Sequence, residues 1–188
     1  MTGRKILKLP FGIITHPSET FDRIKTERPF SVGLTIWLLA SLIYLVFLYI
    51  GMKSFPEWQK FSFSQILLMQ PESLWNFVGL FISAFFTNFL AIKLYGCKSD
   101  YFSILLCQFF INVITIIFGS LIILFILLNL TQFIFFLNLH LIWMLILTII
   151  AIKRVYSISG SSAFFILLLS ALMSGAIFFA FRFLIGLI

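Results

Sequence analysis

Few side chains in this sequence could do chemistry, and their spacing keeps them apart. His140 lies inside a long apolar stretch, close to Asn138. A neutral imidazole in such a place can bind a ligand, respond to pH or hydrogen-bond a neighbouring helix, and the last is the plain expectation. Ser157, Ser159, Ser161 and Ser162 flank Gly160 in the outline of a Gly-x-Ser-Gly nucleophile motif. A nucleophilic serine needs a histidine within hydrogen-bond reach. These serines stand at least 17 positions along a mostly helical chain from His140, which sets them ~20 Å or more apart. An intramembrane serine protease is excluded on that geometry.

The carboxylates are equally uninformative as chemistry. Glu19, Asp22, Glu27, Glu57, Glu72 and Asp100 all fall outside the apolar segments or at their edges. Proton- and ion-coupled transporters generally need an ionisable group near mid-membrane, and none stands there apart from His140. Paired carboxylates for acid–base work or metal binding are missing. Cys97 and Cys107 have no Cys-x-x-Cys or metal-ligand spacing, so both read as ordinary thiols and not as a disulfide. The expectation is therefore no catalytic residue, no metal and no cofactor.

The elements that carry these residues are membrane-spanning helices. From Asp100 to Lys153 the chain runs 52 residues without Asp, Glu, Lys or Arg. A helix rises ~1.5 Å per residue and the hydrocarbon layer is ~30 Å thick, so that run crosses the bilayer twice with a tight turn between. Composition agrees: 62% of the 188 residues are hydrophobic, 26 are Phe and only 10% are charged, against about 25% charged in soluble domains. The charge-free stretches predict five spans over 31–50, 73–92, 101–128, 133–152 and 162–188, the last interrupted by Arg182. Asn129, Thr131 and Gln132 mark the turn between spans three and four. The predicted fold is thus all-α, a polytopic bundle of five transmembrane helices over residues 31–188. Residues 1–30 precede it as a basic cytoplasmic tail with an interfacial helix, and Ser31 onward reads as a retained anchor and not a cleaved signal peptide.

Positive residues set the direction. Arg4, Lys5, Lys8, Arg23, Lys25 and Arg28 precede span one, Lys93 and Lys98 follow span two, and Lys153 and Arg154 follow span four. These ten share one side, and Lys53, Lys60 and Arg182 fall on the other. The bias predicts a cytoplasmic N-terminus and an outer C-terminus, with Arg182 snorkelling to the outer headgroups. In the tail, His16-Pro17 predicts a helix start, with Glu19 and Asp22 at its positive end. Phe21 and Ile24 share a face while Arg23, Lys25 and Arg28 can meet anionic lipid, so an interfacial helix is expected, either a topology anchor or a docking site. The loop over 51–72, with Phe55, Trp58, Phe61, Phe63 and Ile66 to Met69, is expected to lie partly in the outer interface.

The remaining polar and small residues read as helix glue. Ser83, Thr87 and Ala91 form an i, i+4 row on span two with Asn88 beside it, and Thr115 and Gly119 do so on span three with Asn112 one turn earlier. Ser170 with Ser174 and Ala171 with Gly175 repeat the pattern on span five. Small residues at that spacing let helices approach, and Asn side chains bond across them. A polar path through Asn88 and Asn112 and an oligomer face are the other readings. Asn88, Asn112, Gly119, His140 and Gly175 are the candidate intramembrane positions.

Three islands carry a family likeness: Pro17-Ser18-Glu19-Thr20-Phe21-Asp22-Arg23-Ile24, then Tyr95-Gly96-Cys97-Lys98-Ser99-Asp100-Tyr101-Phe102, then the stretch from Trp143 through Ala151-Ile152-Lys153-Arg154-Val155-Tyr156-Ser157 to Ser162-Ala163. In order and spacing they resemble the Yip (Ypt-interacting protein) domain family, over nearly the whole chain and most closely its bacterial members. The motifs are loose, and Cys97 and Ser162 depart from the glycine and from the basic residue before alanine that members often carry. The resemblance implies five spans, a cytoplasmic N-terminus and no catalytic residues. It further implies an accessory or scaffold role in the plasma membrane, in some bacterial members beside an ABC-type exporter.

The expected partners are therefore the lipid bilayer and other membrane proteins, with no nucleic acid, and the candidate partner contacts are Phe21, Arg23, Lys25, Lys98, Asp100, Lys153 and Arg154. A small-molecule-binding subunit of a transporter is the alternative. Importer subunits of that kind usually have six spans and an Ala-x-x-x-Ala motif in the first, whereas span one here has only Ala40. An intramembrane enzyme is the third class, disfavoured by the missing carboxylates.

Overall fold

A computed structural model describes residues 9–53, 71–128 and 133–186. Eight helices order the described residues: α1 (Leu9–Thr15), α2 (Pro17–Glu27), α3 (Phe30–Lys53), α4 (Pro71–Tyr95), α5 (Tyr101–Ile111), α6 (Val113–Leu127), α7 (Phe133–Tyr156) and α8 (Gly160–Gly186). Five segments are long and apolar enough to cross a membrane: α3, α4, α5 with α6, α7 and α8. Charged residues stand near several of the helix ends, among them Lys53, Lys93, Lys153 and Arg154. Most of the expected outer loop, including Phe55, Trp58, Phe61, Phe63 and Ile66 to Met69, lies outside the described residues, as do Asn129, Thr131 and Gln132.

Only 17–28% of each span is buried. Phe85, Phe135, Leu172, Phe179 and Phe183 point outward at 55%, 66%, 63%, 69% and 69% exposure. An apolar surface of that extent is what a lipid-facing bundle presents and what a water-facing one avoids.

The third span differs from the single helix expected. It breaks at Asn112, whose Nδ2 donates to the Gln108 carbonyl at 2.8 Å. The Asn112 backbone N–H turns instead to the Phe109 carbonyl at 3.2 Å. A side chain that takes over an i−4 carbonyl kinks a helix. The first half, α5, is enclosed by protein: every residue from Ser103 to Ile111 is buried. It is surrounded by α2, α3, α4 and α7, with α1 touching it as well, while α3 also packs along α6 and α8 lies between α4 and α7.

The tail helix corrects an expectation. Pro17 does start α2, and Arg28 ends it in the left-handed conformation at φ 47°, its N–H closing on the Ile24 carbonyl. The apolar face does not rest on lipid. Phe21 and Ile24 are each 0% exposed and join Leu9 and Ile13 in the one core that includes Ile104, Leu106 and Val155. Phe21 is therefore a core residue of the docked tail, closed off from the surface in this structure.

Candidate functional site

Two polar clusters occupy the bundle. The first lies at the basic end, where α2 and the connections 96–100 and 157–159 meet. Asn88, about 10 Å from the end of α4, is its hub. Its Oδ1 accepts from the Tyr156 hydroxyl and from the Asp100 N–H, each at 3.0 Å, and its Nδ2 donates to Ser99 Oγ at 3.2 Å. Asp100 in turn caps α5, its Oδ1 accepting from the Ser103 N–H at 3.3 Å, as a carboxylate at a helix start does. The same oxygen lies 3.4 Å from Arg28 Nη2, and the Arg28 guanidinium sits 5.9 Å over the Phe102 ring.

The tail is fastened to span four by two further contacts. Lys25 Nζ donates to the Val155 carbonyl at 2.6 Å, a cation placed at the negative end of α7. Arg154 Nη1 lies 3.4 Å from Asp22 Oδ2. Arg23 pairs with Glu27 on its own helix at 3.4 Å. Lys98 and Lys153 are exposed and have no ion pair among the described residues. Lys25, Arg28, Cys97, Lys98 and Asp100 border a cleft of about 400 Å³ at this end. Cys97 is half-buried and Cys107 fully buried, both free thiols.

The second cluster is a partly open cavity of about 450 Å³ midway along the spans. Ser41 and Tyr44 reach it from α3, Ser83 from α4, Gln108, Asn112 and Thr115 from span three, and His140 and Thr148 from α7, beside Trp37, Leu80, Ile111, Met144 and Leu167. His140 Nε2 and Thr115 Oγ1 are 3.2 Å apart, and the imidazole stacks on Phe118. The hydrogen-bonded reading of His140 thus has its partner. Trp37, Phe81 and Phe109 form a ring cluster that joins spans one, two and three, with centroids 5.4–6.0 Å apart.

The candidates therefore divide. Arg23, Lys25, Lys98, Asp100, Lys153, Arg154 and Asn88 gather at the basic end, whereas Asn112 and His140 line the cavity. Asn88 and Asn112 are not brought into one path. The row Ser83–Thr87–Ala91 meets span five: Thr87 Oγ1 donates to Ser170 Oγ and Ser170 Oγ to the Ser83 carbonyl, both at 3.1 Å. Gly119 lets span three approach span one, since a Cβ there would stand 2.9 Å from Ile43 Cγ2. Gly175 is a correction, because a Cβ would meet no described atom within 4 Å; its small size serves no helix contact there. The serines around Gly160 have a structural task instead of a nucleophilic one: Ser159 Oγ accepts from the Ser162 N–H at 3.1 Å and caps α8.

Two residues escaped the sequence reading. Tyr156 sits in the third island but gave no local sign of its partner 68 positions away. Gln108 was legible in principle, being an amide four residues before Asn112 and so on the same helical face. Among the described residues no group of three His, Cys, Asp or Glu side chains could hold a metal ion.

No curated protein and no solved structure matches the sequence. A family model, the Yip1 domain, matches residues 11–182. That match spans both polar clusters, the docked tail and all five apolar segments, and the chain belongs to the Yip1 domain family.

Proposed function

We propose that this protein is a non-enzymatic scaffold or accessory subunit of a membrane complex that exports or transports a substrate. It sits in the plasma membrane with its basic end in the cytoplasm, the direction favoured by ten of thirteen Lys and Arg residues under the positive-inside rule. The observation that carries the reading is the interlocked basic end. Lys25 to Val155, Arg154 to Asp22, Arg28 to Asp100 and the Asn88 bonds join the tail, the 96–100 connection and the end of α7 into one preformed surface. Lys98 and Lys153 stand exposed on that surface as the contacts left for a partner. A rigid surface costs little ordering entropy on association, which suits a stable subunit contact.

The test is extraction into nanodiscs from the native membrane, followed by mass spectrometry of what copurifies. An ATPase and its permease should be recovered in stoichiometric amount with the wild type and be depleted with Lys98→Glu/Lys153→Glu. Recovery of the protein alone, or undiminished partners with the variant, overturns the proposal.

A further inference from the structure

The mid-span cavity has features that packing alone does not explain. Gln108 is 8% exposed, yet its Oε1 has no hydrogen-bond partner among the described residues. Its Nε2 reaches Ser83 Oγ only at 3.5 Å. Turning the amide over exchanges the two atoms but still leaves one end unpartnered, so the side chain calls for either a donor or an acceptor. An unsatisfied amide in apolar surroundings is costly, and Gln108 lines a cavity of about 450 Å³, within the ~300–1,000 Å³ range of small-molecule sites.

We infer that this cavity binds an uncharged amphiphile from the bilayer, through a hydroxyl-bearing head held by Gln108 with Ser41, Ser83 and Thr115 beside it. A hydroxyl both donates and accepts, so it satisfies the amide in either orientation. The head is uncharged because no Lys, Arg, Asp or Glu lines the cavity among the described residues, and a phosphate there would lose its hydration without a countercharge. The ligand is a lipid because the cavity lies at mid-span, with Trp37, Leu80, Ile111, Met144 and Leu167 supplying an apolar wall. Access from the side is built in: α3 and α4 barely touch one another, although each packs on span three. The inference does not depend on the scaffold role, since it concerns the protein without a partner.

The experiment uses the whole protein in nanodiscs with a photoactivatable, clickable diacylglycerol and, separately, a phosphatidic acid bearing the same chains. Peptide mass spectrometry locates the adducts. The diacylglycerol probe should label residues 37–44 and 108–115 and be displaced by unlabelled diacylglycerol. Its yield there should exceed that of the phosphatidic acid probe, and should fall about fivefold in Gln108→Leu, the equivalent of one neutral hydrogen bond. Displacement is read on the wild type, so the test stands even where the variant folds poorly. Equal labelling by both probes, adducts spread evenly over lipid-facing residues, or labelling that unlabelled lipid does not displace would each overturn the inference. An unlabelled cavity beside labelled outer faces would do the same, and would mark it as a water-filled seam.

Discussion

Replacing Asn88 with alanine removes three hydrogen bonds at once, and their values differ. The Tyr156 hydroxyl loses its acceptor at 3.0 Å in a residue only 7% exposed. A buried group left unpaired costs ~1–3 kcal/mol, though bonds inside membrane proteins average nearer ~0.6 with an upper value of ~1.7. About 1 kcal/mol is therefore assigned to Tyr156. The Asp100 N–H and Ser99 Oγ lie near the helix ends, where water replaces the lost partner, and together contribute about 1 kcal/mol more. Asn88→Ala should cost about 2 kcal/mol, Tyr156→Phe about 1, and the double variant about 2, which leaves a coupling near 1 kcal/mol. The assay is reversible unfolding in mixed detergent micelles followed by circular dichroism, with Leu94→Ala, at an exposed position, as the control. A loss for Asn88→Ala within about 0.5 kcal/mol of that control, or a coupling under ~0.3 kcal/mol, would refute the hub argument.

Three further outcomes are expected by the same measurement. Phe21→Ala should destabilise by ~3–5 kcal/mol, as for a buried ring, while Phe11→Ala, at 74% exposure, changes little; equal effects would place the tail on lipid. Gly119→Leu should cost ~1–3 kcal/mol through overpacking against Ile43, whereas Gly175→Leu is tolerated; a tolerated Gly119→Leu would deny the close approach of spans one and three. Asp22→Asn should cost under ~1 kcal/mol, because its pair with Arg154 is half exposed, and the loss should vanish near 1 M salt, where the Debye length is ~3 Å. A larger, salt-independent loss would contradict that reading.

The spans were legible because hydrocarbon thickness imposes a length that charge-free runs reveal directly. Ser83, Thr87 and Gly119 were legible as glue for the same reason, small and polar residues being conspicuous in such a run. The docked tail was not. The face of Phe21 and Ile24 advertises an apolar neighbour without saying whether it is lipid or protein. Lys25 shows the same limit: its charge suggested a headgroup, yet it meets a carbonyl 130 residues away, a pairing that no local pattern encodes. The break at Asn112 was hidden because the chain is strongly apolar on both sides of it and no charged residue marks it. The division of Asn88 from Asn112 follows from which helix ends come together, and spacing along one helix carries no such information.

The Lys25 contact also sets a timetable for biosynthesis. At ~5–20 residues per second, the carbonyl that receives Lys25 is made on the order of ten seconds after the lysine itself. Until the fourth span emerges, the tail helix has its ring and its isoleucine but not the wall that covers them. The nearest apolar phase during that wait is the membrane surface, and the wall that encloses the tail is complete only once the fourth span has been made.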